Sequence, residues 1–171
     1  YYDFTGQSFL RKTESKFSSP LIPSGACDFL QQNNIDGRIF NALDFGPYIG
    51  YRFYAEKRIF IDNRTDLYKA DFYLAYTSAK NYLGEWNNDN KKYGFNIALL
   101  RHLYSDTENL VSYLYRNDDW RLVYYDENSC VFLERIPENM EFIKRFEIDF
   151  KKKTLAESDI YLNVAVFFEK I

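Results

Sequence analysis

The chain of 171 residues carries 22 Lys and Arg against 25 Asp and Glu, a net charge of -3 and a pI of about 5.3. That length suits one domain with a sizeable core. The weak acidity, with cations scattered except at Lys151, Lys152 and Lys153, argues against nucleic acid as a partner. No apolar run reaches the roughly 20 residues of a membrane helix, and no secretory leader is legible. The chain begins at Tyr1 rather than methionine. It reads as a piece of something longer, and if the parent is a membrane protein its membrane part lies in the remainder.

Residues 1–19 are polar and aromatic without periodicity and close at Ser18-Ser19-Pro20, an extended lead-in. Pro23-Ser24 opens a helix, with Ser24 as N-cap and Ala26, Cys27, Phe29 and Leu30 as its apolar stripe. Asn33 and Asn34 end it, and Gly37 turns the chain into a first strand over 38–42. A helix over 45–54 follows, with Pro47 in its first turn and Ile49, Phe53 and Tyr54 toward the sheet. A second strand over 58–62 holds Ile59, Phe60 and Ile61, the continuous apolar run of a strand covered on both faces.

Asp66 is placed to cap a longer helix over 67–83, whose Tyr68, Phe72, Ala75, Tyr76, Ala79 and Leu83 recur at three and four. The polar stretch 85–93 reads as a short helix or a loop. A third strand over 95–100 and a helix over 107–115 come next. Runs over 120–125 and 130–135 flank Asp126-Glu127-Asn128-Ser129, a connection short enough for an antiparallel hairpin. Pro137 begins a helix to 146, a charged hinge covers 149–153, and 155–171 repeats an amphipathic pattern through Ile160, Tyr161, Val164, Ala165 and Phe168.

The expected fold class is α/β, a three-layer sandwich whose mixed sheet has three parallel strands plus an antiparallel hairpin at one edge. The expected organisation is a lead-in over 1–19, an α/β domain over 20–150 and a C-terminal helix over 151–171.

Strand, helix, strand over 38–62 is the unit of a parallel sheet, and such sheets place their chemistry where strands end. Asn41, Asp44, Asp62, Arg64 and Asp66 are expected to gather there, and the ligand-binding candidates are Asn41, Asp44, Tyr48, Asp62, Arg64 and Tyr68. Carboxylates at such a rim bind a cation or polarise a sugar hydroxyl. Turn and cap chemistry accounts for Asp44 and Asp66 as well, because each sits just before a helix. Arg64 between Asp62 and Asp66 suits an internal ion-pair network first and an anionic ligand second. Asn63 between them is read as a left-handed turn aiming both side chains toward the Asp44 loop.

Other chemistry is thin. His102 is the only histidine, which excludes a catalytic triad and a multi-histidine metal site. The 7 glycines are dispersed, so no phosphate loop forms. Cys27 and Cys130 lack metal-site spacing and read as free buried thiols, with a disulfide as the alternative. No catalytic residue, metal or cofactor is expected. Asn63-Arg64-Thr65 matches a glycosylation acceptor, relevant only in a glycosylating compartment. The 16 Tyr and 16 Phe suit a half-wet sugar- or membrane-facing surface. Their spread along the whole chain favours a general compositional bias instead.

Ser24-Gly25-Ala26-Cys27-Asp28-Phe29-Leu30, Gly37-Arg38-Ile39-Phe40-Asn41, Gly46-Pro47-Tyr48-Ile49 and Phe60-Ile61-Asp62-Asn63-Arg64-Thr65-Asp66-Leu67-Tyr68 together resemble one family pattern. Trp120-Arg121-Leu122-Val123-Tyr124 and Cys130-Val131-Phe132-Leu133 look like that family's closing hairpin. The family is the soluble domain that follows the membrane helices of large bacterial multi-spanning glycosyltransferase-like proteins. These are of the membrane-embedded type that uses lipid-phosphate sugar donors. The resemblance spans residues 20–150, and 155–171 is similar to the first of the helical repeats that often follow.

This chain departs from the pattern at Pro47 and Asn63, where the family usually has glycine, and at Ala55, where it usually has proline. Leu43-Asp44-Phe45-Gly46 is more distantly similar to the Trp-Trp-Asp-Tyr-Gly motif of oligosaccharyltransferases, with Ala42 and Leu43 replacing the tryptophans and Phe45 the tyrosine. The resemblance implies a place on the extracytoplasmic, periplasmic face of a bacterial membrane, with the catalytic carboxylates elsewhere in the parent. It implies a non-catalytic domain that binds or positions an acceptor or partner. The partners would be the rest of its own membrane-spanning chain and a glycan, a lipid-linked sugar or a peptide acceptor. The other readings are a protein-protein interaction scaffold with no ligand site and a free-standing α/β enzyme.

Overall fold

The structure, a computed structural model, describes residues 22–54, 59–102 and 106–150. The expected lead-in over 1–19 and the helix over 155–171 lie outside the described residues, as does Arg58. The elements in order are α1 (Ser24–Gln32), β1 (Ile39–Asn41), α2 (Gly46–Arg52), α3 (Ala70–Asn81), α4 (Leu83–Tyr93), β2 (Ile97–Arg101), α5 (Glu108–Arg116), β3 (Trp120–Tyr125), β4 (Ser129–Glu134) and α6 (Met140–Phe146). Short 3-10 turns lie at Leu43–Phe45, Thr65–Leu67 and Pro137–Asn139.

The architecture is mixed α/β around a four-stranded sheet of order β1-β2-β4-β3. β1 and β2 are parallel, with Ile39 opposite Ile97 and Asn41 opposite Leu99. β4 runs antiparallel to both β2 and β3. The hairpin stands where the sequence places it. Asp126 closes it, its Oδ1 accepting hydrogen bonds from Asn128 N, Ser129 N and Ser129 Oγ, which is local aspartate turn chemistry.

Side chains alternate across a strand, and here both sides are apolar. Ile39, Ile97, Leu99, Val131 and Leu133 share one cluster with Leu30 of α1, Ile49 of α2 and Ile143 of α6. Phe40, Ala98, Leu100, Cys130 and Phe132 share the other with Tyr76 of α3, Trp86 of α4 and Leu114 of α5. Phe40 is the hub of the second cluster. Its ring meets Trp86 edge-on at 5.0 Å and Phe95 at 5.3 Å, and lies near-parallel to Tyr76 at 5.4 Å. Such pairs each add about 0.5–1.5 kcal/mol beyond the area they bury. Much of the aromatic excess is therefore internal, although Tyr51, Tyr54 and Tyr82 stand exposed.

Four expectations need correction. The expected second strand is not one: residues 59–62 have no strand pairing, so among the described residues the sheet has one parallel pairing, β1 with β2, rather than three adjacent parallel strands. The segment is still moored beside β1, through one side chain. Asn41 Oδ1 accepts from Phe60 N at 3.0 Å and more weakly from Ile61 N at 3.4 Å. Its Nδ2 donates to Ile61 O at 2.8 Å and to Ala42 O at 2.8 Å. A side-chain amide offers the donor and acceptor of a peptide group, so Asn41 stands in for a neighbouring strand.

The expected helix over 67–83 is shorter and differently started. Asp66 belongs to a 3-10 turn, Lys69 is the N-cap of α3 with no side-chain cap bond, and Tyr82 at φ -126° and ψ 120° breaks the helix before α4. α4 then ends in the left-handed Gly94, φ 65°, the usual device for stopping a helix. Finally, α2 stops at Arg52, so Phe53 is buried while Tyr54 is turned outward and 85% exposed. Ser24 is the first residue of α1, and Pro23 rather than Ser24 takes the cap position.

Candidate functional site

Asp62 is 3% exposed and collects its own neighbours. Its Oδ1 accepts from Arg64 N at 3.0 Å, and its Oδ2 accepts from Arg64 Nε at 2.9 Å and Nη2 at 2.5 Å. Tyr68 Oη donates to Asp62 Oδ1 at 3.2 Å and accepts from Asp62 N at 3.1 Å. The Arg64 hydrogen bonds hold the Asp62 carboxyl below the usual carboxylate range, against the opposing pull of burial. Burial pushes the Tyr68 hydroxyl up. The Arg64 side chain is 67% exposed, so the pair is a lid of guanidinium over a covered carboxylate. Asn63 does not take the expected left-handed conformation: among the described non-glycine residues only Asn34, at φ 52°, has positive φ. Asp62 and Arg64 close on each other rather than reaching toward Asp44.

The other candidates lie in separate networks. Asn41 is fully buried and is occupied with the 59–62 segment. Asp44 pairs with Arg101 at 2.8 Å. Burial raises its carboxyl pKa, Arg101 works against that rise, and Asp106 adds to it. Tyr48 Oη accepts from Arg52 Nη1 at 3.0 Å, while Arg52 Nη2 reaches Asp28 at 2.5 Å and Gln31 at 2.9 Å. The rim expected from sequence is thus four separate groups: Asn41 with the backbone of Phe60 and Ile61; Asp62 with Arg64 and Tyr68; Asp44 with Arg101; and Tyr48 with Arg52 and Asp28. Asp66 is exposed on its 3-10 turn.

Sequence reasoning missed a second set beside Asp44. Tyr76 Oη accepts from Leu43 N at 2.9 Å and donates to Asn41 O at 3.4 Å, tying α3 to the chain leaving β1. Lys80, one turn on, lies 4.5 Å above the Tyr76 ring and pairs with Asp106. The Lys80 side chain is 3% exposed and that of Asp106 57%. The signal was present in the sequence. Position 80 falls on the inner face of the helix, beside Tyr76 and Ala79, where an apolar residue is expected.

The nucleophile and acid–base candidates are closed in. His102 is 2% exposed, with Nε2 2.7 Å from Asp126 O and Nδ1 3.2 Å from Tyr125 Oη. Burial depresses its pKa to about 4. The ring is therefore neutral at pH 7, donating to the carbonyl and accepting from the tyrosine. Cys27 and Cys130 are free thiols in the clusters on opposite faces of the sheet, so the disulfide alternative falls. Burial pushes Cys27 up to about 12 and Cys130 well above its ordinary value.

Among the described residues no group of His, Cys, Asp and Glu is arranged to hold a metal ion. None of their helices is long and apolar enough to cross a membrane. An open groove of about 700 Å³ lies along α6 and the β3 edge, lined by Arg121, Arg135, Met140, Lys144 and Glu147 among others. It contains none of the expected residues. Comparison of the chain with protein-family models, curated proteins and solved structures gave no match.

Proposed function

We propose that this chain is a non-catalytic binding or positioning domain, the extracytoplasmic head of a membrane-embedded glycosyltransferase-like protein. The membrane and glycosyltransferase parts of this reading come from the resemblance over residues 20–150. The observation that carries the non-catalytic part is that the reactive side chains are engaged in holding the fold. Asp62 is tied to Arg64 and Tyr68, Asn41 to the 59–62 segment, and His102 is buried and neutral. A side chain poised for acid–base or nucleophilic work needs reach to a reacting atom, and these face inward.

A three-layer arrangement fits a rigid holder of this kind. Helices α1, α2 and α6 share an apolar cluster with one sheet face and α3, α4 and α5 with the other. The C-terminal helix would then continue toward helical repeats.

The test is a direct one. The purified chain, given a lipid-linked sugar donor and peptide or glycan acceptors, is expected to show no transfer, while the parent protein loses acceptor positioning when this domain is deleted. Transfer by the chain alone would overturn the reading.

A second reading, a scaffold that docks only proteins, is favoured by one observation: Leu67, Leu74, Tyr82 and Leu83 are 64%, 61%, 67% and 50% exposed around α3. Scattered exposed apolar residues are ordinary, but four within one short stretch suit a protein contact. Photo-crosslinking from position 74 in the parent separates the two. Protein adducts with unaltered glycan binding support the scaffold.

A further inference from the structure

β1 and β2 are adjacent and parallel, yet the chain leaves them in opposite directions. After β1 it enters α2, which shares the cluster of Ile39 and Leu99. After β2 it enters α5, which shares the cluster of Phe40 and Leu100. Where the connections from neighbouring parallel strands part in this way, the carboxyl ends of the strands open onto a crevice, and ligands of open α/β sheets sit there. In this protein that place is not the Asp62–Arg64 rim. It is the ground between Asp44 and Asp106.

Two cations underlie it. Arg101, the last residue of β2, has a side chain only 17% exposed and pairs with Asp44, whose side chain is 43% exposed. Lys80 has a side chain 3% exposed and pairs with the 57% exposed Asp106. Tyr76 links the two pairs, since its hydroxyl bonds Leu43 N and its ring lies beneath the Lys80 ammonium. In both pairs the cation is covered and the carboxylate is wet. A buried ammonium is tolerated only with a partner, and the anionic group of a ligand can supply that charge as a carboxylate does. The exposed carboxylates are the exchangeable members, each on a short connection rather than in the sheet.

The geometry points to a binding site for a small anion bearing a phosphate or carboxylate group at the carboxyl ends of β1 and β2. Lys80 and Arg101 are its anchors, and Asp44 and Asp106 hold the place when the ligand is absent. The inference does not depend on the glycosyltransferase reading, since it rests on topology and on two ion pairs. The recessed cations suit a soluble small molecule, whose anionic group can reach them beside Asp44 and Asp106, over a headgroup held in a bilayer surface.

Inorganic phosphate, with acetate as a second arm and sodium chloride at equal ionic strength as the control, tests this on the whole chain. Asp106→Asn removes the resident carboxylate and leaves Lys80 in place. It is expected to bind phosphate or acetate about tenfold more tightly than the parent, a free-energy difference of about 1.4 kcal/mol. It should also recover melting temperature on addition of the anion but not of chloride. Lys80→Met combined with Asp106→Asn should lose both effects.

Equal affinity in all three proteins, or no recovery by either anion, would overturn the site and leave the pairs as structural salt bridges. If Asp106→Asn does not fold, Asp44→Asn makes the same test at Arg101. If neither folds, the parent decides through its amide resonances: shifts at Leu43, Asp44, Lys80 and Arg101 on phosphate addition support the site, and their absence overturns it. Lys80-dependent capture by phosphatidylglycerol vesicles without binding of inorganic phosphate would overturn the small-anion assignment.

Discussion

Asn41→Ala should detach residues 59–62 from β1 and cost about 3 kcal/mol. The magnitude follows from the groups left behind. Phe60 N and Ile61 O lose partners at 3.0 and 2.8 Å, and Ile61 N loses a weaker one at 3.4 Å. Ile61 is fully buried and Phe60 half-buried, so water replaces those bonds only in part unless the segment moves. An orphaned buried backbone group costs about 1–3 kcal/mol. Two such groups, with partial relief as the segment lifts toward solvent, give about 3 kcal/mol. For a chain of 171 residues that corresponds to roughly 6–12 °C in Tm, at about 2–4 °C per kcal/mol. Urea denaturation measures the loss, and amide exchange locates it. Phe60 and Ile61 should lose protection in the variant, while Ala98 and Leu100 of the sheet keep theirs. A variant within about 0.5 kcal/mol of the parent, the range of ordinary surface substitutions, with Phe60 and Ile61 still protected, would refute the idea that one side-chain amide replaces a strand.

Arg64→Ala should melt close to the parent, because its 67% exposed side chain is a lid whose removal opens the Asp62 carboxylate to water in its place. Asp62→Ala should melt clearly lower, since it removes the acceptor of Arg64 N and of the Tyr68 hydroxyl. The Asp62 carboxyl has its folded pKa lowered. Its contribution is therefore present above the unfolded value of about 3.9 and lost as pH falls through the folded value, so parent and Asp62→Asn should converge in acid. Tyr48→Phe, which removes one acceptor of Arg52, should leave Tm nearly unchanged. His102 has its folded pKa depressed to about 4, so the unfolded chain takes up the proton first. Stability should then fall between about pH 6.5 and pH 4 by up to about 3 kcal/mol, and His102→Gln should flatten that part of the pH–stability curve. Cys27 and Cys130, both buried with raised pKa values, should resist iodoacetamide in the native chain and react fully in guanidinium. Native labelling at the rate of free thiols would contradict their burial.

Sequence periodicity located the elements well where one physical rule governs. The 120–125 and 130–135 runs needed only alternation and a short polar turn, and they form β3 and β4 with Asp126 closing them. The helix over 107–115 became α5, because Leu110, Val111 and Leu114 define one face. Residues 59–62 misled because a continuous apolar run reads the same whether it pairs with a strand or is pinned by a side chain. Nothing local says that Asn41, some twenty positions earlier, will supply the amide. The site was legible in part for a related reason. Asp62 and Arg64 sit two residues apart, and their pairing is local. The ion pair Asp44–Arg101 joins the chain leaving β1 to the end of β2, and Lys80–Asp106 joins α3 to the residues before α5, pairings that only tertiary packing makes.

Gly46 and Gly50 show the same limit at single-residue scale, and they can be set against each other. Both lie in α2, in the run Gly-Pro-Tyr-Ile-Gly, where alanine is the better helix former by about 0.5–1 kcal/mol. From sequence the two positions look alike. In the structure a Cβ on Gly50 would find Ile59 Cγ2 at 3.6 Å and Cδ1 at 3.7 Å, which is ordinary contact. A Cβ on Gly46 would lie 2.2 Å from Ile61 O and 2.7 Å from Asp62 Cα, both backbone atoms with no side-chain torsion to absorb the clash. The first turn of α2 is therefore pressed onto the same segment that Asn41 holds. Gly50→Ala should be neutral or gain up to about 1 kcal/mol. Gly46→Ala should lose about 1–3 kcal/mol, as overpacking does, because the segment must shift away from β1 and release the Asn41 bonds. Since both changes act on that one contact, Gly46→Ala and Asn41→Ala should combine to less than the sum of their separate losses. A fully additive double variant, or a Gly46→Ala protein as stable as Gly50→Ala, would mean that the 59–62 segment is not clamped between β1 and α2.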